Sequence, residues 1–172
     1  MEKPSSARIA LKWGVISAVI TIIYSVVLFM TGQHLKNQAL SYVSYVFLLG
    51  GMILAMKEYR SLNNEFMGFG EGLGLGTLLS AVSSLISSIF SFLYITFIDP
   101  TIMQQINDMQ REQMESRGMT QEQVDQAMEM VSKFTSPGMI FIIGVLGAIF
   151  FGFILSLIVS AVMKKDKPEM NF

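Results

Sequence analysis

Four long apolar runs alternate with short polar links along the chain. Trp13 to Met30 carries no charge over 18 residues, and Ala39 to Met56 carries none over another 18. The third run, from Gly68 to Ile98, reads GFGEGLGLGTLLSAVSSLISSIFSFLYITFI, and the fourth, Met139 to Met163, holds 25 uncharged residues. At 1.5 Å per residue, eighteen residues barely cross a hydrocarbon core of ~30 Å, so a flanking turn is expected to lengthen the first two spans. Leu73 to Ile98 alone reaches ~39 Å, which calls for tilt or for a glycine-rich entry outside the hydrocarbon. The pattern predicts an all-α membrane protein with four transmembrane helices at about 13–30, 39–56, 72–98 and 138–163. They form one integral-membrane domain over 1–172, interrupted by an insertion at 100–136.

The insertion has its own periodicity. Asp99 before Pro100 is a helix-start signal, because proline suits the first helical position. Ile102, Ile106 and Met109 then share a face, and Gly118 closes that helix. Thr120 with Gln123 three residues on fits a capping box. Val124, Ala127, Met128, Val131 and Phe134 line one face of the helix that follows, which stops before Pro137. An amphipathic helical hairpin over about 100–135 is expected, folded over the spans or lying on the lipid surface.

Small residues mark the third and fourth runs. Gly68, Gly72, Gly76, Ser80, Ser83, Ser87 and Ser91 are separated by 4, 4, 4, 3, 4 and 4 positions, one continuous stripe on a helix. Gly144, Ala148, Gly152, Ser156 and Ser160 repeat every fourth position. Lipid gives apolar surfaces no reason to pair, so close backbone approach along such stripes has to supply the packing. The third and fourth helices are therefore expected to be the closest pair, antiparallel. On the second run Gly50, Gly51 and Ala55 are further small positions for helix contact.

Charge orients these helices. Four spans place both termini and the 57–67 link on one side. That side holds eight Lys and Arg (Lys3, Arg8, Lys12, Lys57, Arg60, Lys164, Lys165 and Lys167), against four on the other (Lys36, Arg111, Arg117 and Lys133). The positive-inside rule puts the termini in the cytoplasm and the hairpin outside. The hairpin is acidic, with seven Asp and Glu against three Lys and Arg between Asp99 and Ser136. A signal peptide is not favoured at the start, because the first run is long and ends in FMTGQHLK without a small-x-small cleavage pattern. Net charge is −1, which gives no bulk attraction to nucleic acid. The chain has no cysteine, which removes disulfides, thiolate metal sites and cysteine nucleophiles together.

Candidate chemistry is sparse. GFGEGLGLG never satisfies G-x-G-x-x-G, has no Lys-Ser/Thr after it and follows no strand, so helix packing explains its glycines better than a phosphate does. Gly70 and Gly74 face away from the stripe, which leaves open a helix start packed on two sides or a kinked, broken entry of the kind transporters use. Glu71 is a candidate functional polar residue, since acids within membrane helices mark ion and proton sites. It also lies close enough to the boundary to meet water, Lys57 or Arg60. Asp99 is a second candidate, most simply a helix cap. His34 stands alone in a polar link without a ligand set. Met103, Met109, Met114, Met119, Met128 and Met130 crowd the hairpin; thioethers bind Cu(I), but methionine is also an adaptable packing residue. No cofactor or metal site and no catalytic set is expected, and the chain reads as a non-enzyme.

The block KEYRSLNNEFMGFGEGLGLGTLLSAVSSLISSIFSFLYITFIDP, with four spans and a GMTQEQVDQAM hairpin, resembles domain of unknown function family 4199, of Bacteroidota-type inner-membrane proteins. The resemblance implies a small four-helix protein of the bacterial inner membrane and carries no assigned activity or functional residue. The expectation is an interaction, scaffold or accessory protein that packs through its small-residue stripes, with the bilayer, a second copy of itself or other membrane proteins as partners and no nucleic acid. The alternative is a small transporter or channel component using the glycine-rich entry and Glu71. A polar cavity at mid-membrane and a broken third helix are the features that would mark the alternative.

Overall fold

The structure, a computed structural model, describes residues 4–33 and 37–166. Lys3, His34, Lys36 and Lys167 lie outside the described residues. Helix α1 spans Ser6–Met30, and a single turn, α2 at Gln38–Ser41, leads into α3, Val43–Leu62. The third span is α4, Phe69–Leu93, which continues as a π-helical turn over Tyr94–Ile98. The hairpin consists of α5, Thr101–Ser116, and α6, Gln121–Phe134. The chain then returns along α7, Pro137–Met163. Among the described residues four helical stretches are long and apolar enough to cross a membrane: Ser6–Met30, Ala39–Leu62, Phe69–Ile98 and Pro137–Met163. The protein is thus an all-α, multi-pass membrane protein. Its first two spans extend beyond the uncharged runs, because helix continues through the flanking polar residues Lys12, Lys57, Glu58 and Arg60.

The helix boundaries follow local chemistry. Ser5 Oγ accepts from Arg8 N to start α1, and Ser136 Oγ accepts from Met139 N ahead of Pro137 to start α7. Thr120 and Gln123 make the reciprocal capping box at α6, Thr120 N donating to Gln123 Oε1 at 3.0 Å. Gly118 adopts φ +82° between the hairpin helices, a left-handed conformation that costs glycine nothing. Arg111 Nη1 and Asp125 Oδ1, 2.8 Å apart, tie α5 to α6. Ile102 and Val124 are buried, while Phe134, placed by periodicity on the apolar face, is exposed.

Helix α4 is the centre of the bundle. Its most extensive contact is with α7, its next with α1, and α3 leans mainly on α1. The end that carries Ser6, Lys164 and the 63–67 link is densely filled by Ile9, Ala10, Met52, Met56, Tyr59, Met67, Leu75, Leu79 and Val159. Polar contacts close the same end. Lys12 Nζ and Trp13 Nε1 both donate to Glu58, at 2.7 Å and 2.6 Å, joining α1 to α3. Arg60 Nη1 donates to Met163 O at 3.4 Å, and Met67 and Lys165 exchange backbone hydrogen bonds of 2.9 Å. At the opposite end Tyr24 OH donates to Leu40 O, and the Phe29 and Tyr94 rings stack at 4.8 Å.

Candidate functional site

Two regions emerge along the small-residue face of α4, and they behave differently. Toward the termini, glycine does the work of close approach. A Cβ on Gly72 would lie 2.9 Å from Ser160 Oγ, and one on Gly76 would run into Ser156 Oγ. On α7, a Cβ on Gly152 would overlap Ser80. Ser156 Oγ donates across this seam to Leu73 O at 3.0 Å. Ser156 thereby gains a partner that lipid cannot offer, whereas Ser160 Oγ, buried in the same seam, has none among the described residues. Gly70 and Gly74 meet nothing within 4 Å, so the helix start packs on one side only. The entry is unbroken, with Gly68 at the N-cap and α4 running helical from Phe69.

Toward the hairpin the same face opens. Between the spans lies a cavity of about 540 Å³. Thr21 and Ser25 of α1, Ser44 and Tyr45 of α3 and Ser83 and Ser87 of α4 contribute hydroxyls to its wall. Ser41, Tyr42, Ser80, Ser84, Ser88 and Ser91 contribute more, and Ala148 of α7 completes the apolar part with Leu48. Met109 and Gln113 of α5 line it from the hairpin. No acidic or basic side chain is among these residues. The floor is the dense cluster described above, reached at Ser80.

The hydroxyls are not equivalent. Helical serine usually satisfies itself by donating back to the preceding turn. Ser80 does so, to Gly76 O at 2.9 Å, as does Ser84, to Ala81 O at 3.1 Å. Ser83 does not: it is 5% exposed, faces the cavity, and its hydroxyl has no hydrogen-bond partner among the described residues. Ser87 Oγ is fully buried and also has none. A buried polar group left unpaired costs about 1–3 kcal/mol, so the Ser87 hydroxyl, one turn from the unpartnered Ser83 hydroxyl on the cavity wall, marks a place where a partner belongs.

The residues singled out from sequence distribute as follows. Gly72, Gly76, Ser80, Gly152 and Ser156 meet in the α4–α7 seam. Ser83, Ser87 and Ala148 line the cavity, and Gly68 caps α4. Gly144 is exposed; a Cβ there would be 3.7 Å from Ser88 Oγ, ordinary contact distance. Glu71 sits in the first turn of α4, where its Oε2 accepts from Gly68 N at 2.9 Å. It is about two turns of helix and the dense cluster away from Ser80, and it does not reach the cavity wall. Asp99 Oδ1 accepts from Thr101 N and Thr101 Oγ1, so it ties down the start of α5, with Pro100 rather than Asp99 at the N-cap position. Met109 lines the cavity and Met130 is exposed. Among the described residues no group of three His, Cys, Asp or Glu is placed to hold a metal ion.

Sequence reading passed over two features. Ala10, Gly14 and Ala18 of α1 repeat every fourth residue and are all buried. A Cβ on Gly14 would lie 2.9 Å from Val82 Cβ, so α1 packs on α4 by the same device as α7. The small-x-x-x-small signal was present. The other feature is the cavity. Its signal was the placing of Thr21 and Ser25 near the end of one span and of Ser41 and Ser44 near the start of the next, level with Ser83, Ser87 and Ser91 in an antiparallel bundle.

No curated protein and no solved structure matches this chain. Residues 12–165, which take in most of the first span, all of the other three, the seam and the whole cavity wall, match the family described as protein of unknown function (DUF4199), and the chain belongs to that family.

Proposed function

We propose that this protein is a non-enzymatic membrane protein that holds an uncharged, hydroxyl-bearing small molecule in the cavity between its spans. The observation that carries this reading is the pair of unpartnered hydroxyls, Ser83 and the fully buried Ser87, on the wall of a cavity of about 540 Å³. The volume lies within the range of ligand pockets, about 300–1,000 Å³. Each hydroxyl both donates and accepts, which suits a partner made of hydroxyls. An ion is disfavoured, because the wall offers no countercharge and an unpaired charge out of water costs several kcal/mol. The resemblance to inner-membrane proteins suggests the bacterial inner membrane, and the positive-inside rule then puts the termini in the cytoplasm and the cavity in the outer half of the bilayer.

Docking of partners through the glycine stripe has less support, since those glycines already meet α7 within one chain. A transporter built on a broken third helix is likewise less supported, since α4 is continuous through its glycines. The test is thermal unfolding of the purified protein in lipid nanodiscs with neutral polyols from glycerol to a disaccharide, and with ionic counterparts such as gluconate. Polyols raise stability generally by exclusion. The quantity to read is therefore the excess shift of wild type over Ser83→Val and Ser87→Val. A saturable excess for at least one neutral polyol is expected. Equal shifts in wild type and both variants, or an equal response to the ionic series, would remove the proposal.

A further inference from the structure

A second, smaller space adjoins the cavity. It is a groove of about 170 Å³ between the hairpin-side ends of α4 and α7. Phe92 and Ile95 line it from α4, and Ile140 and Phe141 from α7. Ser88 and Ser91 line both spaces, so the wall changes from hydroxyl to hydrocarbon across these two residues. Gly144 stands at this junction without a side chain, and neither space is lined by a charged group. Ile142 and Ile143, next along α7 from the groove residues Ile140 and Phe141, are exposed on a helix long and apolar enough to cross a membrane.

We infer that the ligand is an amphiphile from the bilayer: its uncharged polyol head lies in the serine cavity and its acyl chain passes Ser88 and Ser91 into the groove between α4 and α7. This rests on the cavity being a ligand site and adds the source and the class. A freely soluble polyol would use only the hydroxyl wall, and the groove would then be unconnected with binding. A lipid uses both, and its chain enters sideways, from a hydrocarbon phase that the groove already borders. The apolar lining suits a chain, whose burial depends on area and not on direction. The polar lining suits a head that must exchange hydrogen bonds for those it leaves at the interface.

The experiment uses the full-length protein in phosphatidylcholine nanodiscs and n-octyl β-glucoside carrying a diazirine at the end of its chain. Glucose and a diazirine-bearing octyl sulfate are the comparison probes. After illumination, cross-linked residues are located by mass spectrometry. Adducts are expected within 88–95 and 137–144, with glucose competing weakly and the sulfate labelling at least tenfold less. Gly144→Leu, which puts a side chain into the junction, should cut labelling about tenfold; Ile140→Trp fills the same groove should the first variant fail to fold. Ser83→Val should cut it as well. Labelling lost in Ser83→Val but kept in both groove variants would overturn the acyl-chain inference and leave the polar site standing. Labelling indifferent to Ser83→Val would overturn both.

Discussion

A methyl group added at Gly152 has nowhere to go, because Ser80 of α4 already fills the space. Gly152→Ala should destabilise the bundle by about 1–3 kcal/mol, the usual range for overpacking. Gly74→Ala has the opposite expectation. Its Cβ meets nothing within 4 Å, so it should gain roughly 0.5–1 kcal/mol from helix propensity. Gly76→Leu should be far more damaging than Leu78→Ile, whose side chain is 39% exposed. Unfolding in mixed micelles of increasing SDS fraction gives all four values on one scale; equal midpoints for Gly76→Leu and Leu78→Ile would refute close backbone approach. The four-residue spacing of glycine was legible in the sequence. Which of the two glycine faces of α4 would meet a neighbour was not, because both faces satisfy the same spacing and only tertiary placement separates them.

Among the elements, the hairpin was the most legible, since its turns and caps are built from local chemistry. Thr120→Ala removes the acceptor for Gln123 N and should weaken α6 by about 1 kcal/mol. Hydrogen exchange should quicken over 121–134 and stay unchanged in α4. Faster exchange throughout would mean that the hairpin and the bundle form one cooperative unit. The clamp between α1 and α3 was not legible. Lys12, Trp13 and Glu58 are more than forty positions apart in part, and only the antiparallel register brings them together. Lys12 is half exposed, so Glu58→Gln should cost no more than about 1 kcal/mol, and wild type should lose more stability than the variant as salt rises. The same midpoints measured at low and high ionic strength check this.

For the whole molecule, apolar run length was enough to find four spans. The cavity was beyond reach from composition. A serine every third or fourth residue reads alike whether it faces a helix or a void. The outcome depends on how far α3 stands from α4 and on where α5 lies, neither of which spacing encodes. Orientation is testable because the chain has no cysteine of its own. Ser116→Cys lies at the exposed end of α5, and Ser61→Cys lies near the exposed end of α3. In intact cells a membrane-impermeant maleimide should modify Cys introduced at 116 and spare that at 61, with both reacting after lysis. The reverse pattern would turn the molecule over and put the cavity in the other leaflet.

Along the α4–α7 pair, clearance is least where Gly76 and Gly152 meet serines and greater toward the hairpin. It is shut at Gly72 and Gly76, and a Cβ at Gly144 would have ordinary room. The pair therefore tolerates added side chains very unequally: bulk at Gly72 or Gly76 would force the two backbones apart, while bulk at Gly144 would first meet only Ser88.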